Sequence, residues 1–268
     1  MEFEQIFNDA VEYTRETFAG HWVRWLIFVI LGLPFTLIRF VYDPRKIITG
    51  MEIHWELIPW GAIAFFGVLG ILASFFIAGY TVRIYRGVKP APDFTNWASL
   101  FIDGVKLDVV VIVWYLPAVI FGLLFASILL GGLFFHVGLG NPLFIDAGII
   151  IAVLMMILFL VSAVIASLYV EMGTVRFART GSMAEGWKYS AITEIIRRIG
   201  WGKYIVALIL LGIIAFVYSF VISLPAFIPY VGWIVPVILS PLLTVFTARF
   251  FTLLYEAGEV PPAPLFGP

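Results

Sequence analysis

Residues 81–87 read Thr-Val-Arg-Ile-Tyr-Arg-Gly, and they close an apolar stretch long enough to cross a membrane. Residues 174–181 repeat the pattern as Thr-Val-Arg-Phe-Ala-Arg-Thr-Gly, and residues 247–249 carry its core as Thr-Ala-Arg. An apolar run of similar length precedes each copy. The sequence therefore predicts one membrane-spanning unit that is used three times.

The composition points to lipid as the solvent of this chain. Hydrophobic residues make up 62% of the 268 residues, charged residues make up 12%, and the mean hydropathy is +1.06. Soluble domains carry about 25% charged residues, and a helix needs about 20 apolar residues to cross the hydrocarbon core. Six stretches meet that length: 22–42, 57–80, 109–135, 143–170, 204–224 and 230–255.

These stretches predict an all-α integral membrane protein with six transmembrane helices, arranged as three parallel helical hairpins. Because two spans return the chain to its starting side, the units are expected to relate by rotation about an axis near the membrane normal. One membrane domain is predicted over 1–256, with repeat units 1–92, 93–184 and 185–256 and an extended, proline-rich cytoplasmic tail at 257–268.

Each repeat unit opens with apolar residues at helical spacing, which predicts an amphipathic helix at the membrane interface. Leu-Pro pairs predict bent helices, since proline removes a backbone hydrogen bond. Small residues three or four apart predict close helix packing. The Leu-Pro pairs are Leu33-Pro34, Leu116-Pro117 and, at the end of its span instead of the middle, Leu224-Pro225. The small residues of the second span are Gly67, Gly70, Ser74 and Ala78.

The basic residues divide unevenly between the two sides of a six-span arrangement. Of the sixteen Lys and Arg residues, only Arg39, Arg45 and Lys46 fall on the outer side. By the positive-inside rule, this predicts a multi-pass protein of the cell membrane with both termini in the cytoplasm. The chain has no cysteine, which excludes disulfides, thiolate metal sites and a cysteine nucleophile.

Two groups of charged residues are candidate sites. Arg39 and Asp146 lie near the outer ends of spans, where they could form an intramembrane pair, be simply exposed at the interface, or serve an ion path. The repeated arginines could bind anionic lipid headgroups or an anionic solute at the inner face; the alternative is that they are ordinary interfacial anchors. These arginines are Arg83, Arg86, Arg176, Arg179 and Arg249.

No catalytic, metal-binding or cofactor-binding motif is evident, so a protein that is not an enzyme is predicted. His21, His54 and His136 are scattered without a second ligand at helical spacing. Asp103 and Asp108 form a single pair of aspartates, whereas the aspartate-metal motif of membrane phosphotransferases needs further aspartates. The basic residues follow a membrane rim without a contiguous patch, which gives no support for nucleic-acid binding.

Three motifs have a recognisable form: Gly79-Tyr80-Thr81-Val82-Arg83 (Gly-Tyr-x-x-Arg), Asp103-Gly104-Val105-Lys106 (Asp-Gly-x-Lys) and Tyr115-Leu116-Pro117. They resemble the motifs of an uncharacterised family of prokaryotic, largely archaeal, polytopic membrane proteins. The resemblance implies a polytopic membrane fold over nearly all of residues 1–256 and brings no activity with it.

The preferred functional hypothesis is a transport, channel or lipid-handling component with a basic cytoplasmic mouth. The alternatives are a membrane scaffold or accessory subunit, and a lipid-modifying enzyme. Membrane lipids are the expected partners, and other membrane proteins or further copies of the chain remain open alternatives.

Overall fold

The structure of the chain, a computed structural model, describes residues 3–41, 47–49, 52–135, 142–228 and 232–259. Helices make up most of this part: α1 Phe3–Phe18, α2 Trp22–Val41, α3 Trp60–Tyr85, α4 Trp97–Phe135, α5 Pro142–Thr180, α6 Met183–Gly186, α7 Tyr189–Ile199, α8 Trp201–Ser223 and α9 Ile234–Glu256. Two short strands, β1 Ile48–Thr49 and β2 Glu52–Ile53, pair antiparallel, and 3-10 turns occupy Trp55–Leu57 and Leu224–Phe227.

Six of these helices are long and apolar enough to cross a membrane: α2, α3, α4, α5, α8 and α9. Helices suit this role because all their backbone hydrogen bonds close within the segment, where lipid offers none. Most side chains along these spans are not buried within the protein, as expected for faces in contact with lipid. The prediction of a six-span, all-α membrane protein is therefore confirmed.

The helix boundaries differ from the prediction mainly at the second repeat. Helix α4 begins at Trp97 and runs without a break into its span, so residues 97–101 form its first turn and not a separate helix. The Thr-x-Arg patterns lie inside α3, α5 and α9, and each helix continues past its arginine, to Tyr85, Thr180 and Glu256.

The chain divides into two compact bodies that do not follow the predicted repeat boundaries. Body A comprises residues 1–107 and 194–268, and body B comprises residues 108–193. In body A, α2 packs along α3, while α9 packs against α1, α2, α3 and α8. In body B, α6 packs on α5.

Close helix contact in body A depends on three glycines. A Cβ at Gly79 of α3 would overlap the carbonyl oxygen of Leu100, and one at Gly104 of α4 would overlap that of Phe75. A Cβ at Gly70 would lie 2.8 Å from the ring of Phe35 in α2. By contrast, Gly67 has nothing within 4 Å of a Cβ, so only part of the predicted small-residue face is an interior seam.

Pro241 lies inside α9, where the sequence analysis predicted no bend. Proline deprives the carbonyl four residues earlier of its partner, and Ser240 Oγ donates to that carbonyl, of Val237, at 3.3 Å. The next two carbonyls accept from side chains on other helices: Trp25 Nε1 donates to Ile238 at 2.6 Å and Tyr218 Oη to Leu239 at 2.7 Å. The polar groups at the bend are thus satisfied within the protein.

Aromatic side chains fill the core of each body near the basic ends of the spans. In body A, Phe28 meets Tyr80 edge-on at 5.0 Å between ring centroids, and Tyr80 stacks on Phe94 at 4.6 Å. In body B, Tyr169 stacks on Trp114 and Tyr189 at 5.5 and 4.7 Å. These rings fix the ends of the helices that carry the polar residues described next.

Candidate functional site

The turn between α1 and α2 opens the candidate site in body A. Helix α1 ends at Phe18, and Gly20 adopts φ +78°, a left-handed conformation that glycine accepts without strain. The chain can therefore reverse within three residues and begin the first span at Trp22. No atom lies within 4 Å of a Cβ built at Gly20, so the turn faces open space.

A cavity of about 300 Å³ adjoins this turn. Its size falls at the lower end of the range of small-molecule sites, about 300–1,000 Å³. The lining combines two charged residues, a histidine and two aromatic residues with apolar neighbours. It consists of Gly20, His21, Trp22, Val23, Arg24, Ile27, Asp93 and Phe94.

Arg24 and Asp93 form the charged centre of the cavity. Arg24 is 8% exposed, and its guanidinium donates to Asp93 Oδ1 from Nε at 3.0 Å and from Nη2 at 2.6 Å. Its Nη1 donates to the carbonyl of Thr17 at 3.0 Å. The hydrogen bonds and positive charge of Arg24 hold the pKa of the Asp93 carboxyl below its ordinary value, so the carboxylate is charged at neutral pH.

Hydrogen bonds from α1, α3 and the segment itself hold the segment that carries Asp93 in place. The four side chains that hold it are a tyrosine on α1, a tyrosine and an arginine on α3, and a lysine of the segment itself. Tyr13 Oη donates to Val88 O (3.1 Å), Tyr80 Oη to Pro92 O (2.8 Å), Arg83 Nη1 to Asp93 O (2.8 Å), Arg83 Nη2 to Thr95 O (2.6 Å) and Lys89 Nζ to Asp9 Oδ2 (2.7 Å). The cavity wall is thus pre-formed.

The three Thr-x-Arg arginines share a structural feature: each contacts a polar segment outside its own helix. Arg83 donates to backbone carbonyls of the 93–96 segment. Arg176 forms an ion pair with Glu185 of α6. Arg249, only 2% exposed, donates from Nε to Asp9 Oδ1 of α1 at 2.8 Å.

The ionisation of the contacting acids follows from these pairs. Partial burial by itself would raise the pKa of Asp9, but hydrogen bonds and charges from Arg249 and Lys89 outweigh it, and the pKa lies below its ordinary value. The pKa of Glu185 is also lowered, by hydrogen bonds from Lys188 and Arg176. Each acid is therefore a carboxylate at neutral pH.

The tyrosine of α1 completes the arrangement around Arg249. The Arg249 guanidinium carbon lies 5.1 Å from the centroid of the Tyr13 ring, a distance at which a cation is attracted to the ring face. Burial raises the pKa of Tyr13 to about 12. The phenol therefore stays protonated and keeps its hydrogen bond to Val88 O.

The remaining sequence candidates lie apart from the cavity. Arg86 Nη2 is 2.8 Å from Asp103 Oδ2; this is an ion-pair distance, although the angles are not those of a hydrogen bond. Arg179 lies in the last turn of α5. The Arg39 guanidinium is 5.6 Å from the centroid of the Phe40 ring, and the side chain of Asp146 lies outside the described part, so their pairing stays a prediction.

The described ranges contain no set of side chains that could bind a metal ion. There, no group of three or more His, Asp or Glu side chains is placed to hold an ion. Between β2 and α3, His54 Nδ1 lies 3.1 Å from Glu56 Oε1, and these two side chains belong to no such group in the described ranges.

The sequence did not single out the residues that line the cavity. Arg24 was only one of the basic residues on the predicted inner side, and His21 was only a scattered histidine. The one local signal was the glycine followed at once by a histidine and a tryptophan at the start of a span. Asp93 and Phe94 could not be linked to it, because about seventy residues separate them from the turn.

Comparison with known proteins identifies one family. A family model described as a protein of unknown function (DUF4013) matches residues 62–227. The match is narrower than the predicted 1–256, although it includes Asp93, Phe94 and the Gly-Tyr-x-x-Arg and Asp-Gly-x-Lys motifs. No curated protein and no solved structure matches the chain.

Proposed function

This chain belongs to that family of unknown function, and from this premise we propose that it is a non-enzymatic membrane protein that binds lipid headgroups at the basic end of body A. Of the predicted roles in transport, conduction and lipid handling, lipid handling is the one that the geometry supports best. The supporting observation is the cavity beside Gly20, which lies at the start of a span and contains charged and aromatic side chains.

The position of the cavity favours a lipid over a solute from bulk water. Trp22 is 68% exposed at the first residue of the span, where tryptophan commonly marks the membrane–water interface. The same end of body A carries Arg83, in the last turn of α3, and Arg249 of α9, which contacts Asp9 of α1. We propose that this end faces the cytoplasm, as the distribution of basic residues predicts.

The repeated arginines support a bracing function at this end. In chain order, Arg83 of the first predicted repeat contacts the segment that opens the second, and Arg176 of the second contacts Glu185, which opens the third. Arg249 of the third contacts Asp9 in the opening helix of the first. We infer three repeats in which each arginine holds the next opening segment; direct lipid or anion binding by these arginines stays a prediction.

Lipid-dependent stability tests the proposed function. The purified chain, stripped of lipid in detergent, is titrated with phospholipids, and its thermal midpoint is followed. Ligand that binds only the native state raises the midpoint by mass action. A rise of several degrees that saturates is expected for the wild type.

A matched pair of variants locates the effect. Val23→Trp fills the cavity mouth from a half-exposed position, whereas Val68→Trp places the same ring on an exposed position of α3 that does not line the cavity. The lipid-dependent rise should be lost in the first variant and kept in the second. If no phospholipid raises the wild-type midpoint, the scaffold alternative takes the place of lipid binding.

A further inference from the structure

The cavity of body A presents both signs of charge to a ligand. We infer that it takes a zwitterionic phospholipid headgroup, with the amine at Asp93 and the phosphate at His21 and Arg24. This inference rests on the proposed function, since it names the class of lipid that the same cavity binds.

Asp93 offers the cationic half of a ligand an open acceptor. Both hydrogen bonds from Arg24 go to Oδ1, whereas Oδ2 accepts none from the described residues. The side chain is 70% exposed. An ammonium group carries three N–H donors, so it can bind Oδ2 without displacing Arg24. The exposed ring of Trp22 lines the same cavity, and aromatic faces attract ammonium groups.

His21 and Arg24 offer donors to the anionic half. The exposed imidazole of His21 has no hydrogen-bond partner among the described residues. The bonds of Arg24 to Asp93 and Thr17 use three N–H groups, and a guanidinium has five. Two donors therefore remain on a side chain that lines the cavity, a suitable arrangement for phosphate oxygens.

The charge balance of the lining distinguishes a zwitterion from a simple anion. Arg24 and Asp93 cancel, so the lining has no net charge when His21 is neutral. A phosphate without an amine would meet the Asp93 carboxylate with no compensating group, and like charges disfavour that arrangement. A zwitterionic headgroup can place its ammonium group at Asp93 and its phosphate at Arg24, so that each charge of the ion pair meets an opposite charge.

The apolar surface of α2 next to the cavity favours a whole lipid, and not a free headgroup, as the ligand. Val23, Leu26 and Ile30 are 51%, 45% and 53% exposed, and their spacing of three and four residues places them on one helix face. This face begins at the cavity, which Val23 itself lines. An acyl chain attached to a bound headgroup can follow it into the membrane.

The test compares two lipids that differ only in the amine. Phosphatidylethanolamine and phosphatidylethanol share the phosphodiester and two-carbon group, but the second has no ammonium. Affinity of the lipid-stripped full chain is measured for each from the concentration dependence of the thermal midpoint. We expect a preference of about tenfold for the amine lipid, the size of one added charge-assisted hydrogen bond.

Two variants test which residue binds the amine and which binds the phosphate of the headgroup. Asp93→Asn keeps an oxygen for Arg24 but loses the negative charge, so the amine preference should fall below about twofold. His21→Ala, which removes no hydrogen bond between described residues, should weaken both lipids equally. Glu16→Gln, on the exposed face of α1, serves as the control and should change neither.

The outcomes separate this inference from the proposed function. Equal binding of the two lipids by the wild type overturns the zwitterion and leaves lipid binding standing, whereas no binding of either lipid overturns both. Glycerophosphoethanolamine, the headgroup without acyl chains, should bind far more weakly; equal binding would overturn the role of the α2 face. Should Asp93→Asn fail to unfold cooperatively, the wild-type lipid comparison and His21→Ala still decide.

Discussion

Arg249 shows how a charge can be held inside body A. Its side chain is 3% exposed, its Nε donates to Asp9, and its guanidinium faces the ring of Tyr13. A buried cation is tolerated only with a partner, because removal from water costs more than a hydrogen bond to neutral atoms returns. The arginine and the aspartate are therefore best regarded as one structural element.

Removal of the Asp9 charge tests whether the buried Arg249 needs its counter-ion. Asp9→Asn leaves Arg249 buried without a counter-ion, and we expect a loss of about 1–3 kcal/mol in the free energy of unfolding. The measurement is equilibrium unfolding in detergent. Glu12→Gln, at an exposed position on the same helix, should change the free energy by less than about 0.5 kcal/mol. Equal effects of the two variants would contradict the pairing.

Acid should weaken the same contacts. Asp9, Asp93 and Glu185 have pKa values below their ordinary ones in the folded chain. A lowered folded pKa means that the stabilisation is complete above the unfolded pKa and is lost as the pH falls through the folded value. The thermal midpoint should thus be steady above about pH 5 and decline below about pH 4.

The variant Asp9→Asn is the control for this pH dependence. Since the substituted side chain no longer titrates, its midpoint should decline less between about pH 4 and pH 3 than that of the wild type. Parallel declines for the two proteins would show that Asp9 does not contribute to the acid sensitivity.

At the scale of elements, the approach of α3 and α4 depends on two glycines. Gly79 and Gly104 lie where each helix meets a carbonyl oxygen of the other, of Leu100 and of Phe75. Each glycine belongs to one of the motifs that carry the family resemblance. The Gly-Tyr-x-x-Arg and Asp-Gly-x-Lys motifs are therefore the two sides of one helix contact, a role that their spacing in the sequence does not disclose.

Alanine at these glycines should separate the helices. Gly79→Ala and Gly104→Ala each require a backbone shift, for which overpacking costs of about 1–3 kcal/mol or more are typical. Gly67→Ala, with nothing within 4 Å of its Cβ, should be neutral or raise stability by up to about 1 kcal/mol through helix propensity. Thermal unfolding of the three variants under one condition provides the comparison.

At the scale of the whole molecule, topology can be tested because the chain has no native cysteine. Single cysteines at Glu56, Asn96 and Glu259 give an unambiguous labelling pattern with an impermeant thiol reagent in intact cells. We expect Glu56→Cys to react and the other two to be protected, as the distribution of basic residues predicts. Labelling of Asn96→Cys from outside would overturn the orientation.

The number of spans and the identity of the basic end could be predicted from the sequence. Membrane length and apolar composition are properties of a single segment, and each span must meet them before it has any neighbour. The position of Arg83 near the end of α3 followed for the same reason. The start of α4 could not be placed, because no proline interrupts residues 97–109 and Gly104 there serves packing instead of a turn.

The partners of the charged residues were decided only by the tertiary structure. Arg249 and Asp9 are 240 positions apart, and Arg24 and Asp93 are 69 apart; no local pattern favours one acid over another at such separations. The cavity exists because the turn at Gly20 meets the 93–94 segment, which Tyr80 and Arg83 hold in place. The length of an apolar span is a property of consecutive residues, whereas a binding site is formed by contacts that exist only once the helices have packed.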